Sequence, residues 1–233
     1  MQDPAPPASQ VIAFSGLLVI VGGGAVDGEL LSELYLKGGH LVGADAGADV
    51  IAAAGLMPEV IVGDFDSLAA PMSWLGRTRL MQIAEQDSTD FEKALYSTSA
   101  PVTVAMGMTG RRFDHTLAAL DALAPRADKR PIILVDEEDI AVALTGKFSF
   151  TVLPGERVSV VPLVPLRFRH SEGLKYPLDG LKLAMGERIG TSNSATDGPF
   201  TIEPESRTKA PWLLVVAKEH LFRMIDTLLE QAG

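Results

Sequence analysis

The chain has 233 residues, 47% of them hydrophobic, a formal net charge of −10 and no cysteine. That length suffices for one large domain or two smaller ones, and the missing cysteines exclude a disulfide framework, a thiolate zinc site and a cysteine nucleophile. An acidic chain repels phosphate backbones, so nucleic acid is not an expected partner, and a phosphate-bearing ligand would need a divalent cation beside it.

The first ten residues, MQDPAPPASQ, are acidic and Pro-rich and lack the basic segment of a secretory signal. Residues 1–15 are therefore expected as a flexible arm, and the protein as soluble and cytoplasmic. Leu17–Val21 (LLVIV) falls far short of the roughly 20 apolar residues of a membrane span. It reads as a buried strand that ends in the turn Gly22-Gly23-Gly24. Glu29–Lys37 has helical spacing and stops at Gly38-Gly39. His40–Gly43 is a second strand, Val50–Ala54 a helix, and Glu59–Val62 a third strand that runs into Gly63-Asp64-Phe65-Asp66-Ser67. Strands at Leu80–Ile83, Val102–Met106 and Ile132–Val135 then alternate with helices at Asp90–Ser97 and Asp114–Leu123.

This alternation predicts an α/β domain over residues 16–145 with a mostly parallel sheet, whose ligands bind at the carboxyl ends of the strands. The pattern changes near residue 145. Phe148–Leu153, Val158–Val164, Leu181–Ala184, Phe200–Ile202 and Trp212–Ala217 are short strand candidates broken by Pro, Gly and Asn. An amphipathic helix at Lys218–Gln231 closes the chain. Residues 146–233 are expected as a smaller all-β sandwich domain with a C-terminal helix.

The polar clusters follow apolar runs. Asp64 and Asp66 stand two apart, and two carboxylates aimed at one point need a cation between them, Mg²⁺ being a natural one. The same residues also suit an ordinary turn. Thr89 and Glu92 fit a capping box, and Asp90 in the first helical turn suits either the helix dipole or a phosphate site. Gly107 to His115 is a glycine-bearing loop before a helix, in which an Arg can clamp phosphate, although no Walker A lysine ends it. Gly190-Thr191-Ser192-Asn193 reads as a turn of the β domain.

Taken in order, Asp45-Ala46-Gly47, Pro58 to Ser67, Asp87-Ser88-Thr89-Asp90, Gly110 to His115, Gly173-Leu174-Lys175-Tyr176-Pro177-Leu178 and Thr191-Ser192-Asn193 resemble the thiamine pyrophosphokinase family. The resemblance implies a Mg²⁺-dependent enzyme that moves the pyrophosphoryl group of ATP onto thiamine. It also implies a homodimer with shared active sites. Asp64, Asp66 and Asp90 would surround the metal and, with Arg112, carry catalysis. Gly23, Asp45, Thr89, Thr109, Gly110, Arg112 and Asp114 would lie near ATP, and Ser192 and Asn193 near thiamine. Arg111, Ala119 and Ser194 depart from residues common in the family. A pyrophosphokinase acting on a pterin alcohol and a non-catalytic nucleotide or thiamine sensor remain as alternatives. A phosphatase of the aspartyl-phosphate type lacks its expected Thr, because Ser67 follows Asp66.

Overall fold

The structure is a computed structural model that describes residues 11–205 and 209–232. The chain forms two compact units, one running to Ala122 and the other from Leu123 to Gln231. Of the arm expected over residues 1–15, residues 1–10 lie outside the described residues, and β1 (Ile12–Ala13) pairs in parallel with β6 (Thr98–Ser99).

The first unit is an α/β layer structure. β2 (Leu17–Val21), β3 (His40–Ala44), β4 (Val60–Gly63), β5 (Arg79–Gln82) and β7 (Val102–Met106) make a parallel sheet in the order β7-β2-β3-β4-β5. Helices α1 (Gly28–Leu36), α2 (Gly47–Ala53), α3 (Asp90–Ser97) and α4 (Phe113–Leu123) connect or follow these strands. All five residues of β2 are buried, as are all five of β7. Such unbroken apolar runs belong to strands covered on both faces. The order reverses at β2, which has β7 on one side and β3 on the other, and doubly wound sheets open a crevice at such a point.

The second unit contains two antiparallel sheets. β8 (Ile132–Val135), β9 (Asp139–Leu144), β11 (Arg157–Pro162), β14 (Gly190–Ser194) and β16 (Trp212–Ala217) follow the order β14-β11-β16-β9-β8. β10 (Phe148–Phe150), β12 (Leu166–Glu172), β13 (Lys182–Leu183) and β15 (Phe200–Pro204) follow the order β10-β15-β12-β13. Phe168 packs edge-on to Trp212 with centroids 6.1 Å apart, and Phe200 edge-on to Phe150 at 6.3 Å. A 3₁₀ turn at Lys218–His220 precedes α5 (Leu221–Ala232), which buries Leu221, Met224, Ile225 and Leu228.

The change of sequence pattern predicts a boundary at 145–146, whereas the compact units divide between Ala122 and Leu123. The hairpin β8–β9 accounts for the difference, since β9 pairs along its whole length with β16 and so belongs to the second unit's sheet. Gly190–Ser194 forms strand β14 rather than a turn. Val158 pairs with Asn193 and Val160 with Gly190, so Thr191 and Ser192 together oppose Ser159 in a β-bulge. Ser192 takes φ 58° at this bulge, and its N–H donates to the Ser159 hydroxyl at 3.0 Å.

Candidate active site

The carboxyl ends of β2, β3, β4 and β7 and the amino terminus of α3 line a cleft of about 580 Å³ within the first unit. Its acidic floor is built by backbone geometry. β3 and β4 run in parallel register with Ala44 opposite Val62, so Asp45, just beyond β3, comes level with Gly63, and Asp64 is the next residue along. A Cβ on Gly63 would lie 2.9 Å from the Asp45 Cβ and 3.1 Å from an Asp90 carboxylate oxygen. Only glycine there lets the acids approach so closely.

Two residues of the cluster hold left-handed backbone that side chains disfavour, Asp45 at φ 46° and Phe65 at φ 72°. Phe65 packs against the cluster of Ala48, Ile61, Leu68 and Trp74, which anchors the turn between Asp64 and Asp66. Carboxylate oxygens of Asp45, Asp64 and Asp66 then lie within 4.8 Å of one another. The Asp66 N–H donates to Asp64 Oδ1 at 3.1 Å, and the Ser67 hydroxyl donates to Asp66 Oδ1 at 2.8 Å.

The acids are not equivalent. Asp45 is 3% exposed; its Oδ2 accepts from the Ser67 N–H at 3.1 Å, while its buried Oδ1 has no hydrogen-bond partner. Burial, reinforced by the Asp90 charge, pushes its carboxyl above the ordinary range. Asp64 behaves oppositely. The Gln86 side-chain amide donates to its Oδ2 at 2.8 Å, and this bond, with the Asp66 N–H, holds its carboxyl below the ordinary range.

Lys93 is a site residue that sequence reasoning did not single out. It is 2% exposed, with Nζ 3.1 Å from Asp90 Oδ1 and 3.6 Å from Asp64 Oδ2. Burial alone would lower its ammonium, but the hydrogen bond and charge of Asp90, with the charge of Asp64, raise it overall. The spacing of Asp90 and Lys93, three apart on one helix face, was the available signal. Asp90 is thus committed to a lysine at the edge of the cluster, and it is Asp45, placed near the nucleotide by sequence reasoning, that joins Asp64 and Asp66.

The amino terminus of α3 is built as its sequence suggests. The Thr89 hydroxyl accepts from the Glu92 N–H at 3.3 Å, and the Glu92 carboxylate accepts from the Thr89 N–H at 2.9 Å. Across the cleft, the loops after β2 and β7 press together, for Gly24 donates to the Gly107 carbonyl at 3.0 Å. A Cβ on Gly24 would sit 2.4 Å from that oxygen. Arg111 donates to the Gly23 carbonyl at 3.1 Å and so ties the two loops. Arg112 pairs with Asp114 at 2.6 Å, both well exposed.

Of the expected site residues, Gly23, Asp45, Asp64, Asp66, Thr89, Asp90, Thr109 and Arg112 line the cleft. Gly110 belongs to the same loop as Thr109 and Arg112, and Asp114 lies in the first turn of α4, which follows that loop. Ser192 and Asn193 lie on β14 of the second unit, whereas the cleft is built within the first. Ser192 is exposed, and Asn193 is 5% exposed.

Residues 32–134 match the model of the thiamin pyrophosphokinase catalytic domain, and residues 148–207 that of the thiamin pyrophosphokinase vitamin B1 binding domain. The chain belongs to the thiamin pyrophosphokinase family. The first match spans β3 and β4, beyond whose ends the clustered acids lie, and α3, which begins with Asp90; the second spans the bulged strand β14. Thiamin pyrophosphokinase 1 of Caenorhabditis elegans is 29% identical over 164 residues, covering 64% of this chain and 67% of that protein. Thiamine pyrophosphokinase 1 of Arabidopsis thaliana is 28% identical over 169 residues, 64% of this chain and 62% of that protein. The chain thus aligns with about two thirds of these relatives' length. The crystal structure of thiamin pyrophosphokinase from Geobacillus thermodenitrificans superposes with a TM-score of 0.70 at 24% identity, covering 87% of this chain and 97% of that one. Among the described residues, no helix is long and apolar enough to cross a membrane.

Proposed function

We propose that this protein transfers the pyrophosphoryl group of ATP to the hydroxyl of thiamine, giving thiamine diphosphate and AMP. The observation that carries the reading is the convergence of Asp45, Asp64 and Asp66 at the strand ends under a thiamin pyrophosphokinase catalytic match. The vitamin B1 binding match over residues 148–207 favours thiamine over a pterin alcohol as acceptor.

The site fits a hard divalent cation. Three carboxylates offer oxygens within 4.8 Å, and one oxygen of Asp45 is buried without a hydrogen-bond partner. Mg²⁺ prefers such oxygen ligands and keeps room for substrate phosphates. Asp64 and Asp66 would hold it, with Asp45 beside them and Asp90 adding its charge from α3. With Mg²⁺ held there, the charge of the ATP polyphosphate is offset. Arg112 and the amino terminus of α3, capped by Thr89, orient the phosphates, and Gly23, Thr109, Gly110 and Asp114 shape the nucleotide side of the cleft. In-line alignment of the thiamine hydroxyl with the β-phosphorus supplies most of the rate, so no covalent nucleophile is needed. A carboxylate of the cluster accepts the hydroxyl proton.

We also read the protein as a cytoplasmic homodimer with shared active sites; the lack of cysteine suits a reducing compartment. The test of function is the nucleotide product. Incubation with ATP, Mg²⁺ and thiamine should release one AMP per thiamine diphosphate, and stoichiometric ADP would point to a simple kinase instead.

A further inference from the structure

Between β5 and α3 the chain passes from the edge of the parallel sheet to the cleft, and residues 85–88 on that path belong to no helix or strand. Their polar groups nonetheless converge on one side chain. Glu85 Oε2 accepts from the Asp87 N–H at 2.7 Å and from the Ser88 N–H at 3.1 Å. Its Oε1 accepts from the Ser88 hydroxyl and, at 3.0 Å, from the Tyr96 hydroxyl. A carboxylate suits this place, since it accepts on both oxygens and carries no donor of its own. Burial alone would raise the Glu85 carboxyl, but the Ser88 hydroxyl, the Asp87 N–H and the Tyr96 hydroxyl lower it overall. Tyr96 stands in the last turn of α3, so Glu85 clasps the bend to the helix that the bend leads into.

The residue held by this clasp is Gln86. The ring that closes from the Glu85 carboxylate to the Asp87 N–H runs through the Gln86 backbone, which is therefore fixed from both sides. The Gln86 side-chain amide donates to Asp64 Oδ2 at 2.8 Å, while Asp64 Oδ1 accepts from the Asp66 N–H at 3.1 Å. Gln86 and Ser88 line the cleft, and Glu85 and Tyr96 are set back from its lining. Outer hydrogen bonds of this kind hold a metal-binding carboxylate in one orientation, and their loss weakens the site.

We propose that Glu85 is a positioning residue of the active site, acting through Gln86 to fix the Asp64 carboxylate for the divalent cation. The inference rests on the pyrophosphokinase reading above. It concerns the shape of the clasp rather than its charge. The Glu85 charge also bears on Lys93, and the variants below separate the two effects.

The test uses the full chain and two readouts. One is the binding of Mn²⁺ without nucleotide, followed by the paramagnetic resonance of the free ion, and the other is the Mg²⁺ dependence of AMP release with thiamine. Thermal melting in chelator reports the fold of each variant. Glu85→Ala should weaken Mn²⁺ binding roughly tenfold, the low end for outer partners of a metal ligand, and raise the Mg²⁺ half-saturation by a similar factor with the thiamine KM little changed. Gln86→Ala should act likewise, and the double variant should be no worse than the weaker single one, because both act on one hydrogen bond. Glu85→Gln is the charge control. Its carbonyl oxygen can still accept from the two N–H groups and its amide can donate to the two hydroxyls, so it should bind Mn²⁺ as the wild type does. Tyr96→Phe removes one hydroxyl of the clasp and should weaken Mn²⁺ binding less than Glu85→Ala.

Wild-type Mn²⁺ binding by folded Glu85→Ala would overturn the inference. Should Glu85→Ala not fold, Tyr96→Phe decides in its place, and wild-type binding there would overturn it equally. A Glu85→Gln variant as weak as Glu85→Ala would assign the effect to charge on Lys93, and fully additive losses in the double variant would remove the route through Gln86. A wild-type chain that binds Mn²⁺ yet releases no AMP with thiamine would instead defeat the parent reading, and with it the part of Glu85 in that reaction.

Discussion

Asp45 and Asp64 face each other across the cluster, yet the fold treats their charges in opposite ways. Asp45 is raised by burial and by Asp90, so the native state holds its proton more tightly than the unfolded chain. Its charged form therefore costs stability, and that cost grows as pH rises from the ordinary carboxylate value through the folded one. Asp64 is lowered by Gln86 and the Asp66 N–H, so it contributes stability above its ordinary value that is lost on acidification through its folded value. In metal-free buffer near neutrality, Asp45→Asn should raise the melting temperature and Asp64→Asn should lower it. Each kcal/mol should move it by roughly 2–4 °C in a domain of this size. Both should reduce turnover, Asp64→Asn by about 10²–10³-fold as expected for loss of a catalytic electrostatic group. Parallel melting and activity measurements decide this, and the same sign of melting shift in both variants would contradict the assignment.

At the scale of elements, helix α3 links local propensity to the site. Its eight residues begin at a capping box, and its first turns supply Asp90 and the buried Lys93. Thr89→Ala removes the hydroxyl that accepts the Glu92 N–H and should cost about 1 kcal/mol in urea unfolding, the usual worth of such a cap. Because the cap also fixes Asp90, a larger loss of activity than of stability should follow. The β14 bulge plays a similar part in the second unit, turning Asn193 inward. The capping box was legible in the sequence because it depends on residues three apart. The bulge was not, since an extra residue in a ladder shows only against its partner strand, and Gly-Thr-Ser-Asn by itself suits a turn equally well.

For the whole molecule, helix α4 leaves Phe113 at 74% and Leu117 at 51% exposure, one helical turn apart. An apolar pair of this kind suits a subunit contact, in keeping with the homodimer proposed above. Light scattering at micromolar concentration should give a dimer, and Phe113→Glu should shift it toward monomer and lower activity with it. A fully active monomer would rule out a shared site. The net charge of −10 should keep the assembly soluble and away from nucleic acid.

Local periodicity and residue type sufficed to read the α/β alternation of the first unit, the short strands of the second and the kinds of chemistry at hand. Asp64 and Asp66 were legible as a pair, being two apart after an apolar run. Tertiary structure decided what joins them. Asp45 meets them because parallel register sets Ala44 opposite Val62, and Gly63 leaves no side chain between them. Lys93 is buried because α3 docks its inner face beside β4, which turns an ordinary helical lysine into the counter-charge of Asp90 and Asp64. β8 and β9 joined the second unit because a ladder with β16, more than sixty residues further along the chain, outweighs the local rhythm of strand and helix. In each case the deciding contact lies between residues distant in sequence, where neither spacing nor propensity carries information.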